Sequence, residues 1–86
     1  MKTKTIEIQI SCYDCSPREF ENALDKLDEC FKAYDTEGLD CVQRPDFEPG
    51  MYVIVELLNI PDDKIDWATE QIKDAMQDVP VWEIDY

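Results

Sequence analysis

The chain has 86 residues, 21 of them acidic and 8 basic, with no histidine and a net charge of -13. That length suits one domain over 1–86, and the negative field repels nucleic acid and anionic membrane while speeding encounter with a basic partner, so direct binding to either is not expected. An apolar fraction of 44%, with two Trp, four Tyr and three Phe in periodic patterns, excludes an acidic disordered chain.

Thr3 to Ile10 alternates, with Ile6, Ile8 and Ile10 on one side and Thr5, Glu7 and Gln9 on the other, the period of a half-buried strand. The same alternation interrupts any apolar run, so MKTKTIEIQI does not read as a signal peptide, and no later stretch has the length of a membrane span. A cytoplasmic location with reduced cysteines is the expectation. After a turn at Ser11 to Ser16, Ser16, Pro17 and Glu19 supply an N-cap, a first-turn proline and a capping box. Phe20, Leu24, Leu27, Phe31 and Tyr34 then form the buried stripe of a helix, with Ala23 and Cys30 flanking and Glu21, Asp25, Asp28 and Glu29 in solvent.

This helix is expected to end before Gly38, and Leu39 to Arg44 to form a second strand stopped by Pro45. A turn at Asp46 to Gly50 leads into Met51 to Leu58, the longest β-branched and aromatic run. Met51, Val53, Val55 and Leu57 mark one face of this strand, and Tyr52, Ile54 and Leu58 make the other apolar too. Asn59 to Asp63 is expected to open a second helix with Ile65, Ala68, Ile72, Met76 and Val79 as its stripe, stopped by Pro80, and Val81 to Tyr86 alternates as a last strand. The order β-α-β-β-α-β predicts an α+β fold of the ferredoxin-like plan, a four-stranded antiparallel sheet with both helices on one face. The first and third strands would be central. Tyr52, Ile54 and Leu58 would then lie on the open face, either as scattered apolar surface or as a partner or homodimer surface.

Cys12 and Cys15, spaced C-x-x-C in the turn between the first strand and first helix, could share a copper or zinc ion or cycle as a disulfide, or serve only as turn residues. In position the pair resembles the metal-binding loop of heavy-metal-associated domains, although Ile10 stands where that family has Met. The resemblance implies a soluble metal or thiol module. Cys30 lies too far along the helix to join Cys12 and Cys15 on one ion, while Cys41 falls at Cys30's end of the domain; both read as small apolar core residues.

Asp62, Asp66, Glu70, Asp74 and Asp78 recur every four residues, so their carboxylates rise about 6 Å apart in a row that drifts around the helix. Such a row is either a solvated face or a binding ridge. Two features favour the ridge: Asp74 and Asp78 fall where the helix dipole disfavours negative charge, and no basic residue follows Lys73, whereas Glu83 and Asp85 do. Trp67, beside the row, suits an interface anchor or packs under the preceding loop. Without histidine, a phosphate-binding Gly loop or a Ser nucleophile motif, catalysis has no identifiable residues and no cofactor is called for.

The expectation is an acidic protein that blocks a basic, nucleic-acid-binding surface of another protein by charge mimicry. Asp62, Asp66, Trp67, Glu70, Asp74, Asp78, Glu83 and Asp85 would meet the partner, with Tyr52 as a further anchor. Small acidic phage-encoded inhibitors, anti-CRISPR proteins among them, and toxin immunity proteins are similar in size and charge. The alternative is the metal or thiol module of Cys12 and Cys15.

Overall fold

The computed structural model describes residues 2–86. Strand β1 (Thr3–Ser11) is followed by helix α1 (Pro17–Phe31), strands β2 (Val42–Gln43) and β3 (Tyr52–Pro61), helix α2 (Ile65–Ala75) and strand β4 (Trp82–Asp85). The strands form one antiparallel sheet in the order β2-β3-β1-β4, which puts β1 and β3 at the centre and makes the fold α+β. No helix among the described residues is long and apolar enough to cross a membrane.

Local chemistry sets the start of α1. Ser16 Oγ accepts from the Glu19 N–H at 3.2 Å, and Glu19 Oε1 accepts from the Ser16 N–H at 2.8 Å, closing the predicted capping box. Phe20, Ala23, Leu24, Leu27 and Phe31 are buried along its inner stripe. A 3-10 turn, Lys32–Tyr34, continues the helix, and the chain then reverses through Glu37 and Gly38, whose φ angles are +52° and +78°. Positive φ at both centres is what a two-residue hairpin loop between Thr36 and Leu39 requires.

The helices cover one face of the sheet only. Ile6, Ile8 and Ile10 of β1 and Val53, Val55 and Leu57 of β3 point into a core completed by the stripe of α1 and by Ala68, Ile72, Ala75, Met76 and Val79. Between Lys4 and Ile6 the register shifts, so that Leu58 and Asn59 together oppose Thr5. Asn59 sits in the left-handed region (φ +61°), which asparagine tolerates. This bulge resets the alternation and turns Ile60 into the core.

Four sequence-based boundaries need correction. Met51 is 56% exposed and precedes β3, so it does not share the core face of Val53. Leu39–Arg44 contains only the two-residue β2, because the Cys41 N–H is taken by Asp35 Oδ1 at 2.8 Å and the Asp40 carbonyl by Gln43 Nε2 at 2.7 Å before Pro45 ends the strand. Asn59–Pro61 does not open a helix: it remains strand, paired with Thr3 and Lys4, and α2 begins at Ile65 after a 3-10 turn at Asp62–Lys64. The second helix also stops at Ala75, although Met76 and Val79 still bury their side chains.

Candidate functional site

The acidic row predicted for the second helix is only partly helical. Asp66, Glu70 and Asp74 lie on α2, whereas Asp62 belongs to the 3-10 turn before it and Asp78 to the turn after it. Cations are interleaved with the row. Lys73 lies 3.8 Å from Glu70 and Lys26 of α1 3.7 Å from Asp78, while Gln77 Nε2 donates to Asp74 at 3.1 Å. Both ion pairs are exposed and individually weak, and they reduce the negative charge of the row without cancelling it. Trp67 is 39% exposed and packs edge-on against Phe31, centroids 5.3 Å apart, and beside Tyr34 at 5.9 Å. Most of this indole is therefore committed to the joint between the helices.

The acids of α1 have a structural task that the sequence did not reveal. Arg44, just beyond β2, reaches Glu21 at 2.8 Å, Asp25 at 2.9 Å and Asp28 at 2.6 Å. Burial pulls the guanidinium pKa down, but Asp25 and Asp28 outweigh it and hold the value above its ordinary level. One cation thus gathers three helical carboxylates and ties the β2 edge to α1.

The open face of the sheet has a different character. Glu7 of β1 stands directly opposite Glu56 of β3 on one side and Asp85 of β4 on the other, and Gln43 of β2 extends the row beyond Glu56. The next row is Glu83, Gln9 and Ile54; the one after it brings Tyr52 opposite Ser11. Val81 borders that last row, its carbonyl accepting from the Ser11 N–H at 3.1 Å. Tyr52 and Ile54 are 60% and 49% exposed, whereas Leu58, at the bulge, is half-buried. Among the described residues, the strand positions on this face carry four carboxylates and no Lys or Arg. Neighbouring Cβ positions in such rows stand about 5 Å apart.

The residues expected to act together therefore divide between two faces. Asp66, Glu70 and Asp74 belong to the helical layer, whereas Glu83 and Asp85 project from the opposite face of the sheet, with the core between them. A flat partner surface can meet one set or the other, which corrects the expectation of a single surface running from the helical row to Glu83 and Asp85.

The cysteine loop belongs to the core. Cys12 and Cys15 are both buried, and the Cys15 thiol donates to the Ser11 carbonyl at 3.4 Å. Burial pushes the Cys15 pKa up, and Cys12, Glu19 and Asp14 add to the rise, which favours the neutral thiol. Among the described residues no group of three or more His, Cys, Asp or Glu side chains is placed to hold a metal ion. Cys12 and Cys15 thus form a two-thiol loop with no third such ligand grouped beside them among the described residues. Cys30 and Cys41 are also free thiols, each with its own neighbours: burial, then Asp74 and Glu29, raises the Cys30 pKa, while Cys41 Sγ donates to the Leu58 carbonyl at 3.0 Å.

Glu7 and Glu56 were not among the predicted binding residues. Glu7 was readable as an outward position of the first strand and Glu56 as the polar break in an apolar run; what the sequence lacked was the register that places them side by side. The chain matches no known protein-family model, no curated protein and no solved structure.

Proposed function

We propose that this protein is a small acidic binding module that occupies a basic surface of another protein, of the kind that otherwise holds nucleic acid, and blocks it with carboxylates in place of phosphates. The observation that carries this reading is the segregation of charge. With 21 acids against 8 bases, Lys26, Lys73 and Arg44 pair with acids of the helical layer, whereas among the described residues the strand positions on the open face of the sheet carry four carboxylates and no Lys or Arg. Phosphates of one DNA strand rise about 3.4 Å per charge, and the cross-strand row of Asp85, Glu7 and Glu56, with Cβ positions about 5 Å apart, sets three carboxylates side by side on one face. We assign the scaffold to the ferredoxin-like plan, a reading supported by the β-α-β-β-α-β order and by the central places of β1 and β3.

The test is capture of the tagged protein from its own host's lysate at low salt, read by native mass spectrometry, followed by competition between the protein and nucleic acid for the captured partner. The expected result is a basic protein that moderate salt releases and from which this chain displaces nucleic acid. A partner retained at high salt and indifferent to nucleic acid would refute the reading. So would activity that disappears in the Cys12→Ser, Cys15→Ser double variant while binding to basic proteins is absent.

A further inference from the structure

We infer that the docking surface is the open face of the sheet, not the acidic row of α2, and that its occupant is a lysine- or arginine-rich protein segment bearing an apolar side chain beside its cations. This rests on the binding role proposed above and identifies where it resides and what it recognises.

The face is graded along its strands. At the end where β1 finishes and β3 begins it presents Tyr52 and Val81, both exposed. Ile54 lies in the next row beside Gln9 and Glu83, and the third row is Asp85, Glu7 and Glu56. Beyond that end lie the exposed side chains of Met51 and Tyr13, where the Cys12 N–H donates to the Met51 carbonyl at 2.9 Å. Successive same-face rows are about 7 Å apart, so a complementary partner carries its cations about 7 to 14 Å from the apolar group that meets Tyr52.

Charge selects among the possible occupants. A second copy docked face to face through a two-fold axis brings the same patch against itself, so Glu7, Glu56, Glu83 and Asp85 meet no Lys or Arg from its strand positions. Nucleic acid meets the same repulsion. Fold stability does not explain the arrangement either, because like charges directly opposite on paired strands are destabilising, and here Glu7 is flanked by one on each side. The α2 row, by comparison, is diluted by Lys73 and by Lys26 from α1.

The test is a titration of the isotope-labelled protein, followed by amide NMR, with a short lysine-rich peptide containing one tryptophan and with the same peptide carrying glycine instead. The expected result is shifts centred on Gln9, Ile54, Glu56 and Glu83 and about tenfold tighter binding of the tryptophan peptide, a preference that Ile54→Ser removes. Combining Glu7→Gln, Glu56→Gln and Glu83→Gln should weaken both peptides. Combining Asp66→Asn, Glu70→Gln and Asp74→Asn, an equal change in charge, should not. Shifts centred on α2, with loss of binding in the α2 variant only, overturn this inference and leave the binding role standing. Absence of salt-sensitive binding to either peptide removes both.

Discussion

Cys41 shows how a single residue can be well placed by sequence and yet owe its chemistry to distant partners. Its N–H donates to Asp35 at 2.8 Å, its thiol donates to the Leu58 carbonyl at 3.0 Å, and its own carbonyl accepts from the Leu58 N–H at 2.8 Å. Burial pushes the thiol pKa up from 9.0 to about 11, and the nearby charges of Asp35 and Asp28 add to the rise. The folded chain keeps a proton that the unfolded chain loses, so this contribution to stability is full below pH 9.0 and is lost as pH rises toward about 11. Denaturant unfolding across that window should show a loss on the order of 2 kcal/mol that is absent from Cys41→Ala. Equal slopes in the two proteins would refute it. That Cys41 is a core residue could be read from the sequence; that Leu58 is its partner could not, since the two meet only through the pairing of β2 with β3.

Among the elements, β1 carries a conflict between burial and charge. Its inner side chains, Ile6, Ile8 and Ile10, are fully buried, and the alternation that buries them sends Glu7 to the open face between Glu56 and Asp85. Replacing Glu7 by Gln keeps the shape and removes repulsion on both sides. Glu7→Gln should therefore raise stability by roughly 0.5 kcal/mol at low salt, with a smaller gain as salt screens the charges. Matched denaturation curves at low and high salt would measure this, and a destabilised Glu7→Gln would mean that Glu7 supports the fold. The alternating strand and the capped start of α1 were legible because each rests on contacts within a few residues. The short β2 was not: Asp35 and Gln43 take up backbone groups that the second strand was expected to use in the ladder.

For the molecule as a whole, a net charge of -13 on 86 residues is a standing load against compaction. Ion pairing relieves it on the helical side, where Arg44 gathers Glu21, Asp25 and Asp28, whereas the strand positions of the open sheet face hold no Lys or Arg among the described residues. Raising salt from about 0.01 M to about 0.1 M shortens the screening length from about 30 Å to about 10 Å. The melting temperature should rise over that range, by roughly 4–8 °C for each kcal/mol of repulsion removed. A flat or falling melting temperature in sodium chloride would show that the acids are already neutralised within the fold. Under the binding role proposed for the open face, a cationic partner should raise the melting temperature at low salt in the same direction.

The sequence by itself determined the kinds of element, the start of α1, most of the core and the excess of acid, since periodicity, capping and composition are local properties of the chain. Tertiary structure alone decided which acids stand together. The register of β1 against β3 and β4 aligned Glu7 with Glu56 and Asp85, and the two-layer architecture separated Glu83 and Asp85 from Asp66, Glu70 and Asp74. It also closed Arg44 onto α1 and turned Trp67 against Phe31 and Tyr34. The physical reason is common to all of these: each depends on pairing or packing between residues far apart in the chain, and neither spacing nor charge count encodes which side of the sheet a residue finally faces.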